Sequence, residues 1–132
     1  MGAERSPELE HPVVAVQDER GTIIDLVQGE SFDAASVIST RAGGVRGNHY
    51  HNDTFQVIYL LAGRLRLVTQ MPGQSVLTRI VEAGDLIRTP PVERHAVQAL
   101  EDCTMLVLTR GPRAGRDYES DTLRLVEPLI ER

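Results

Sequence analysis

A chain of 132 residues is long enough for one domain with a sizeable core and too short for two. Its 41% hydrophobic and 25% charged content is that of an ordinary globular protein, and a net charge of -5 with scattered arginines excludes the basic stripe that nucleic acid requires. No apolar run approaches transmembrane length, residues 1–12 lack the apolar stretch of a signal peptide, and the single cysteine, Cys103, has no partner for an internal disulfide. A cytoplasmic protein with no membrane contact is expected.

Residues 1–12 carry Glu4, Glu8 and Glu10 with Pro7 and Pro12, and read as a flexible N-terminal arm ahead of a domain spanning 13–132. Residues 13–16 suit a first strand. Asp18-Glu19-Arg20-Gly21 is a turn, and 22–27 is the β-branched run after it. Residues 36–40 form a short strand, and Ala42-Gly43-Gly44 leads into Arg46-Gly47-Asn48-His49-Tyr50-His51. Asn52-Asp53-Thr54 is a turn signal, from which Phe55 and Gln56 are expected to fold back as a hairpin beside the histidine strand. Residues 55–62 and 64–68 flank Gly63 and read as a second hairpin. Met71-Pro72-Gly73-Gln74 precedes a strand at 75–81, and Glu82-Ala83-Gly84-Asp85 precedes Leu86-Ile87. Pro90-Pro91 bars a central strand at that point. Residues 95–100 and 104–109 are the last clear strands, with Cys103 a buried, inert thiol. Residues 118–130 suit either a short strand or a helix. Roughly eight to ten short strands, with no long 3.6-residue period, make an all-β sandwich or barrel.

Chemistry concentrates around the histidines. Residues i and i+2 of a strand face the same way, so His49 and His51 share one space and Tyr50 faces away. Two imidazoles so placed can share a metal ion at ~2.1 Å each, or a substrate. His95 is a third candidate, reached after Gly84 and Pro90, and Gln56 is a neutral fourth. Arg46 suits an anion, with a structural ion pair as the competing reading, and Gly47 would let the backbone pass close to a ligand. Tyr59 is a candidate substrate contact. Arg110, Arg113 and Arg116 read as a solvated loop, and His11 as a tail residue without a role.

These residues resemble the two cupin motifs. The first is represented by Gly43, His49, Tyr50, His51, Gln56 and Gly63, and the second by Gly84, Pro90 and His95. The chain departs from them with Val92 in place of a glycine, Ala99 in place of an asparagine and Gln56 in place of the usual glutamate. The resemblance implies a single-domain double-stranded β-helix (a jelly-roll barrel) with its site inside the barrel, and a homodimer. Arg46-Gly47-x-His49-x-His51 followed by Gln56-Val57 is similar to the WxcM-like dTDP-4-oxo-6-deoxyglucose 3,4-ketoisomerases. So are Asp18-Glu19-Arg20-Gly21 near the start, and Cys103 to Leu108 followed by Asp117-Tyr118 near the end. The histidine stretch also resembles cupins of capsule-sugar biosynthesis, some of which bind zinc. The ketoisomerase resemblance implies that His49 removes a proton beside a sugar ketone and His51 assists its return. A tyrosine-rich strand of that group is replaced here by Ser36-Val37-Ile38-Ser39-Thr40.

Three functions follow for a protein with a small-molecule substrate. The first is an isomerase or epimerase of a keto-sugar or sugar nucleotide, working by histidine acid–base chemistry. The second is a metal-dependent cupin, as a dioxygenase, lyase or polyketide-type cyclase. It would hold a divalent transition metal (Zn, Ni, Mn or Fe) on His49, His51, His95 and Gln56. The third is a cupin that binds a ligand without turning it over.

Overall fold

The structure, a computed structural model, describes residues 8–111 and 120–132. Alternating apolar and polar residues between turn signals form strands along nearly all of this length. They are β1 (Leu9–Glu10), β2 (Val14–Asp18), β3 (Gly21–Ile24), β4 (Ala34–Thr40), β5 (Val45–Tyr50) and β6 (Phe55–Ala62). There follow β7 (Arg64–Gln70), β8 (Leu77–Glu82), β9 (Leu86–Thr89), β10 (Arg94–Ala99), β11 (Cys103–Arg110) and β12 (Leu123–Arg124). The undecided tail is therefore a short strand where it is described, while Arg113, Arg116, Asp117 and Tyr118 lie outside the described residues.

Two five-stranded antiparallel sheets face each other, in the orders β1-β9-β6-β11-β4 and β12-β5-β10-β7-β8, and β2 with β3 forms a separate ribbon. The all-β jelly-roll expected from the sequence is what forms. From β4 to β7 the chain changes sheet at every connection, and it does so again from β8 through β11. Two expected hairpins are corrected by this. Phe55–Ala62 pairs with β9 and β11, not with the histidine strand or with β7. The physical reason lies at the corners. Gly63 has φ 94°, and a side chain there would run into the backbone of Asp102 and Cys103, so the chain turns across the barrel instead of back on itself. Asn52 to Thr54 turns across in the same way, held by Asp121, whose carboxylate accepts the backbone N–H groups of Asn52, Asp53 and Thr54 and the Thr54 hydroxyl. β7 and β8 do make the hairpin that the Met71–Gln74 turn announces, with Arg64 opposite Glu82 and Thr69 opposite Leu77, as β2 and β3 do about the Asp18–Gly21 turn.

The core fills the barrel to one side of the histidines. Leu60, Leu65, Leu67, Val81, Ile87 and Val107 are its centre, and Cys103 is buried among them as expected. Within the segment read as an arm, Leu9–Glu10 pairs with Leu86–Ile87, and Leu9 is 2% exposed in that core. Residues 1–7 lie outside the described residues. His11 has a partner: its Nδ1 is 2.7 Å from Oδ1 of the buried Asp85. Among the described residues, no helix is long and apolar enough to cross a membrane.

Candidate functional site

β5 carries His49, and its geometry depends on one irregularity. Gly47 and Asn48 both have positive φ, 90° and 60°. Opposite them, His95 pairs with His49, Ala96 with Gly47 and Val97 with Arg46, so Asn48 is the extra residue of a β-bulge. Along a regular strand, Arg46 and His49 would face opposite sides. The bulge restores both to the inner face, where they line a cavity with His95 and Val97. Gly47 does approach something closely, but it is the neighbouring strand: a Cβ would stand 2.8 Å from the His95 carbonyl oxygen. Asparagine tolerates the left-handed region better than most residues, and here its side chain also has work outside the barrel. Asn48 Nδ2 donates to the Ile130 carbonyl, and its Oδ1 accepts from the N–H groups of Leu129 and Ile130.

Three imidazoles converge. The ring centroids of His49 and His51 are 4.8 Å apart, those of His49 and His95 are 4.8 Å apart, and those of His51 and His95 are 5.6 Å apart. One nitrogen from each lies within 4.8 Å of the others. His51 Nδ1 donates to the Asp121 carbonyl at 2.9 Å and His95 Nδ1 to the Glu93 carbonyl at 3.2 Å. A carbonyl only accepts, so both Nδ1 atoms carry the proton and both Nε2 atoms carry a lone pair. His49 Nδ1 is buried with no hydrogen-bond partner among the described residues. Burial, then the charges of His95 and His51, then those of Arg124 and Arg132, hold His49 down to about 3. Burial and His51 hold His95 down to about 4, against the bond to Glu93. His49 and His95 are therefore neutral near pH 7, and the Nδ1–H groups of His51 and His95 are anchored on main-chain carbonyls, which leaves imidazole nitrogens of all three residues facing one another. That is the donor set a borderline transition ion takes, and three nitrogens this close seat one ion with small side-chain rotations.

The other expected site residues divide. Gln56, from the facing sheet, is buried and lines the cavity; its Nε2 donates to Thr109 Oγ1 at 3.2 Å, which leaves Oε1 as the atom it can present. Arg46 also lines the cavity, and it donates to Thr40 Oγ1 and the Ser39 carbonyl, with no ion pair among the described residues. His51 is 2% exposed and sits behind the cavity wall. Tyr59 is not brought to the site: Gln56 and Ile58 line the cavity, and Tyr59 stands one residue out of phase with them on β6. The cavity holds about 370 Å³. Sequence reasoning passed over four residues. Asn48 had a local signal, since a Gly-Asn pair inside a strand pattern marks a bulge. Asp121, Arg124 and Arg132 had none, because they reach the site only through contacts roughly seventy residues apart in the chain, as with Asp121 and His51.

Solved structures share this architecture at low identity. A 3,4-ketoisomerase from Helicobacter canadensis superposes with a TM-score of 0.74, at 18% identity, over 89% of each chain. QdtA, a sugar 3,4-ketoisomerase from Thermoanaerobacterium thermosaccharolyticum in complex with TDP, gives 0.72 at 17%, over 89% of this chain and 87% of that one. A dTDP-4-dehydrorhamnose 3,5-epimerase from Sulfolobus tokodaii gives 0.69 at 20%, over 82% and 72%. At such identities the likeness is one of fold. No curated protein sequence matches this one. The cupin domain profile matches residues 36–109, more than half of the chain and the span that holds all three histidines, so the chain belongs to the cupin family.

Proposed function

We propose that this cupin is a small-molecule enzyme whose His49, His51 and His95 hold a divalent transition metal, with Gln56 Oε1 as a weak neutral fourth ligand. The observation that carries the proposal is the convergence of three imidazoles, two of them fixed by Nδ1–H bonds to main-chain carbonyls. When bound, a divalent ion there supplies Lewis-acid polarisation of a carbonyl oxygen. The chain's own residues do the rest. Asp121 and Glu93 fix the ring orientations of His51 and His95 through their carbonyls. Thr109 holds the Gln56 amide. Ile58 and Val107 from one sheet and Val97 from the other give the cavity apolar lining, and Arg46 holds an anionic part of the substrate. The substrate class this suits is an enolisable carbonyl compound. Isomerisation or epimerisation of a keto-sugar is the first reaction to test, because the fold neighbours include sugar ketoisomerases and an epimerase.

The second reading is the same isomerisation without metal, with His49 as base. An imidazole held near 3 is a weak base at neutral pH, which is why the metal reading comes first. Elemental analysis by mass spectrometry decides between them. About one transition metal per chain in the wild type, lost in His49→Ala, is the expected result, and the metal's identity separates redox from Lewis-acid chemistry. A metal-free, folded wild type that turns over a sugar nucleotide sinks the metal reading; tight binding of a ligand with no turnover under any metal makes the protein a binding module. The exposed apolar ribbon of β2 and β3, with Val14, Val16 and Ile23, supports a homodimer, which light scattering in solution tests.

A further inference from the structure

We propose that the C-terminal segment completes the site: Arg124 and Arg132 bind an anionic group, a carboxylate or a phosphate, of the ligand whose other end meets the histidines. The inference rests on reading this cavity as the ligand site, and not on the metal. Its first support is register. Arg124 on β12 is the direct cross-strand partner of His49, with Leu123 opposite Tyr50. Cross-strand partners share a face of the sheet, so Arg124 projects to the inner side, beside the triad. The second is charge. Among the described residues, the cavity wall carries Arg46, Arg124 and Arg132 and no acidic side chain. Three guanidinium groups around one small space favour an anionic ligand over a cationic one.

The third support is placement. Arg124 and Arg132 also border an outer cleft of about 620 Å³, together with Gly47, Pro128 and Glu131. The two arginines thus border both the inner cavity and the outer cleft. The fourth is anchoring. The segment is held by the three side-chain bonds of Asn48, by the Leu125 N–H donating to the Asn48 carbonyl, and by Ile130 buried against Val68 and Ala96. Both arginines lie beyond residues 36–109, the span the cupin profile matches. Planar guanidinium groups suit a bidentate grip on carboxylate or phosphate oxygens.

The test uses full-length protein stripped of metal by chelation, titrated calorimetrically at constant ionic strength with inorganic phosphate, pyrophosphate and malonate. At least one of the three is expected to bind saturably, and the preference between the phosphates and malonate identifies the anion. Arg124→Gln and Arg132→Gln are each expected to weaken that binding roughly tenfold or more, the usual loss for a charge-assisted contact. Arg20→Gln removes the same charge from the turn between β2 and β3 and should leave binding unchanged. Asn48→Ala, which frees the segment, should reproduce the loss while circular dichroism shows the sheets intact. No saturable binding of any of the three anions overturns the proposal, as does an equal loss in Arg20→Gln. Metal content is measured in parallel. Arginine-dependent anion binding by a wild type that takes no metal would leave this inference standing and remove the metal reading, and a metal-loaded wild type indifferent to all three anions would do the reverse.

Discussion

The two ends of the site are held by different means. His49 and His95 face each other across a paired strand ladder, β5 against β10, inside the span the cupin profile matches. The C-terminal segment that carries Arg124 and Arg132 has only two residues of ladder pairing and is fastened mainly by two polar side chains, Asn48 and Asp121. A ladder fixes every residue along it, so the chemistry is placed by many small interactions that resist a single substitution. A clamp concentrates the same task in one group, so the arginine-bearing segment can be moved or lost by changing one residue. The Asp121 clamp also reaches back into the ladder, since its main-chain carbonyl orients His51.

The largest effect expected from breaking this arrangement is in the ladder's own cargo. His95→Ala removes one of three converging nitrogens, and metal affinity should fall by more than the ~10–100-fold typical of losing an outer hydrogen bond to a ligand. Competition with a chromophoric chelator measures this. Retention of wild-type affinity would show that the triad is not the metal site.

A second effect follows from the protons. In the metal-free protein the unfolded His49 and His95 bind protons below pH 6.5, whereas folded they wait until about 3 and about 4. Glu93 works the other way. Burial, then Glu8, push it up to about 7 from 4.5, so the folded state holds a proton that the unfolded state lacks in the same window. Between pH 6.5 and 4.5 the unfolded chain therefore binds two extra protons and the folded chain one. Stability should fall as pH falls, by about 1.4 kcal/mol per pH unit. Glu93→Gln should roughly double that slope. Urea midpoints at pH 6.5, 5.5 and 4.5 read both values, and a flat profile in both proteins rejects the assignment of neutral buried histidines.

The clamp is the next to break. Asp121→Ala leaves the Thr54 hydroxyl and three N–H groups without their acceptor in the turn that carries the chain between sheets, and should cost about 2–4 kcal/mol. Asp121→Asn keeps an acceptor oxygen and should cost less. Because the His51 bond is to the main-chain carbonyl, both variants should bind metal once folded, which separates stability from site chemistry. Equal stability of Asp121→Ala and wild type would mean that water replaces the clamp without cost.

How much of this was legible in the sequence follows the same division. Strands such as 55–62 could be read because period-2 alternation and Gly63 are local signals, and the convergence of His49 with His51 is a local consequence of strand geometry. Which sheet each strand joins was not legible. Adjacent strands pair by default, and that default was overridden at Gly63 by the backbone of Asp102 and Cys103, forty residues further along. The phase of Arg46 was half legible: a glycine in a strand announces a bulge, but only the pairing with Val97 shows that the bulge turns Arg46 inward. Tyr59 was selected by residue type where the alternation of its own strand already opposed the choice.

The smallest prediction concerns the loop that joins the two histidine regions. Val92 has φ 64°, a conformation that costs a β-branched residue about 1–2 kcal/mol, and it stands where the cupin motif has glycine. The conformation is imposed from outside, because the Val92 N–H donates to the His51 carbonyl at 2.7 Å while the next residue's carbonyl holds His95. Val92→Gly removes the Cβ conflict, and against that gain stand about 0.5–1 kcal/mol of added unfolded-state freedom and the loss of a side chain that is already 36% exposed. The net should be a stabilisation of no more than ~1 kcal/mol. Val92→Ala keeps a Cβ and should gain nothing, and Val92→Asn should fall between. If the alanine variant is as stable as the glycine variant, the strain lies elsewhere, and the departure from the motif at this position costs the fold nothing.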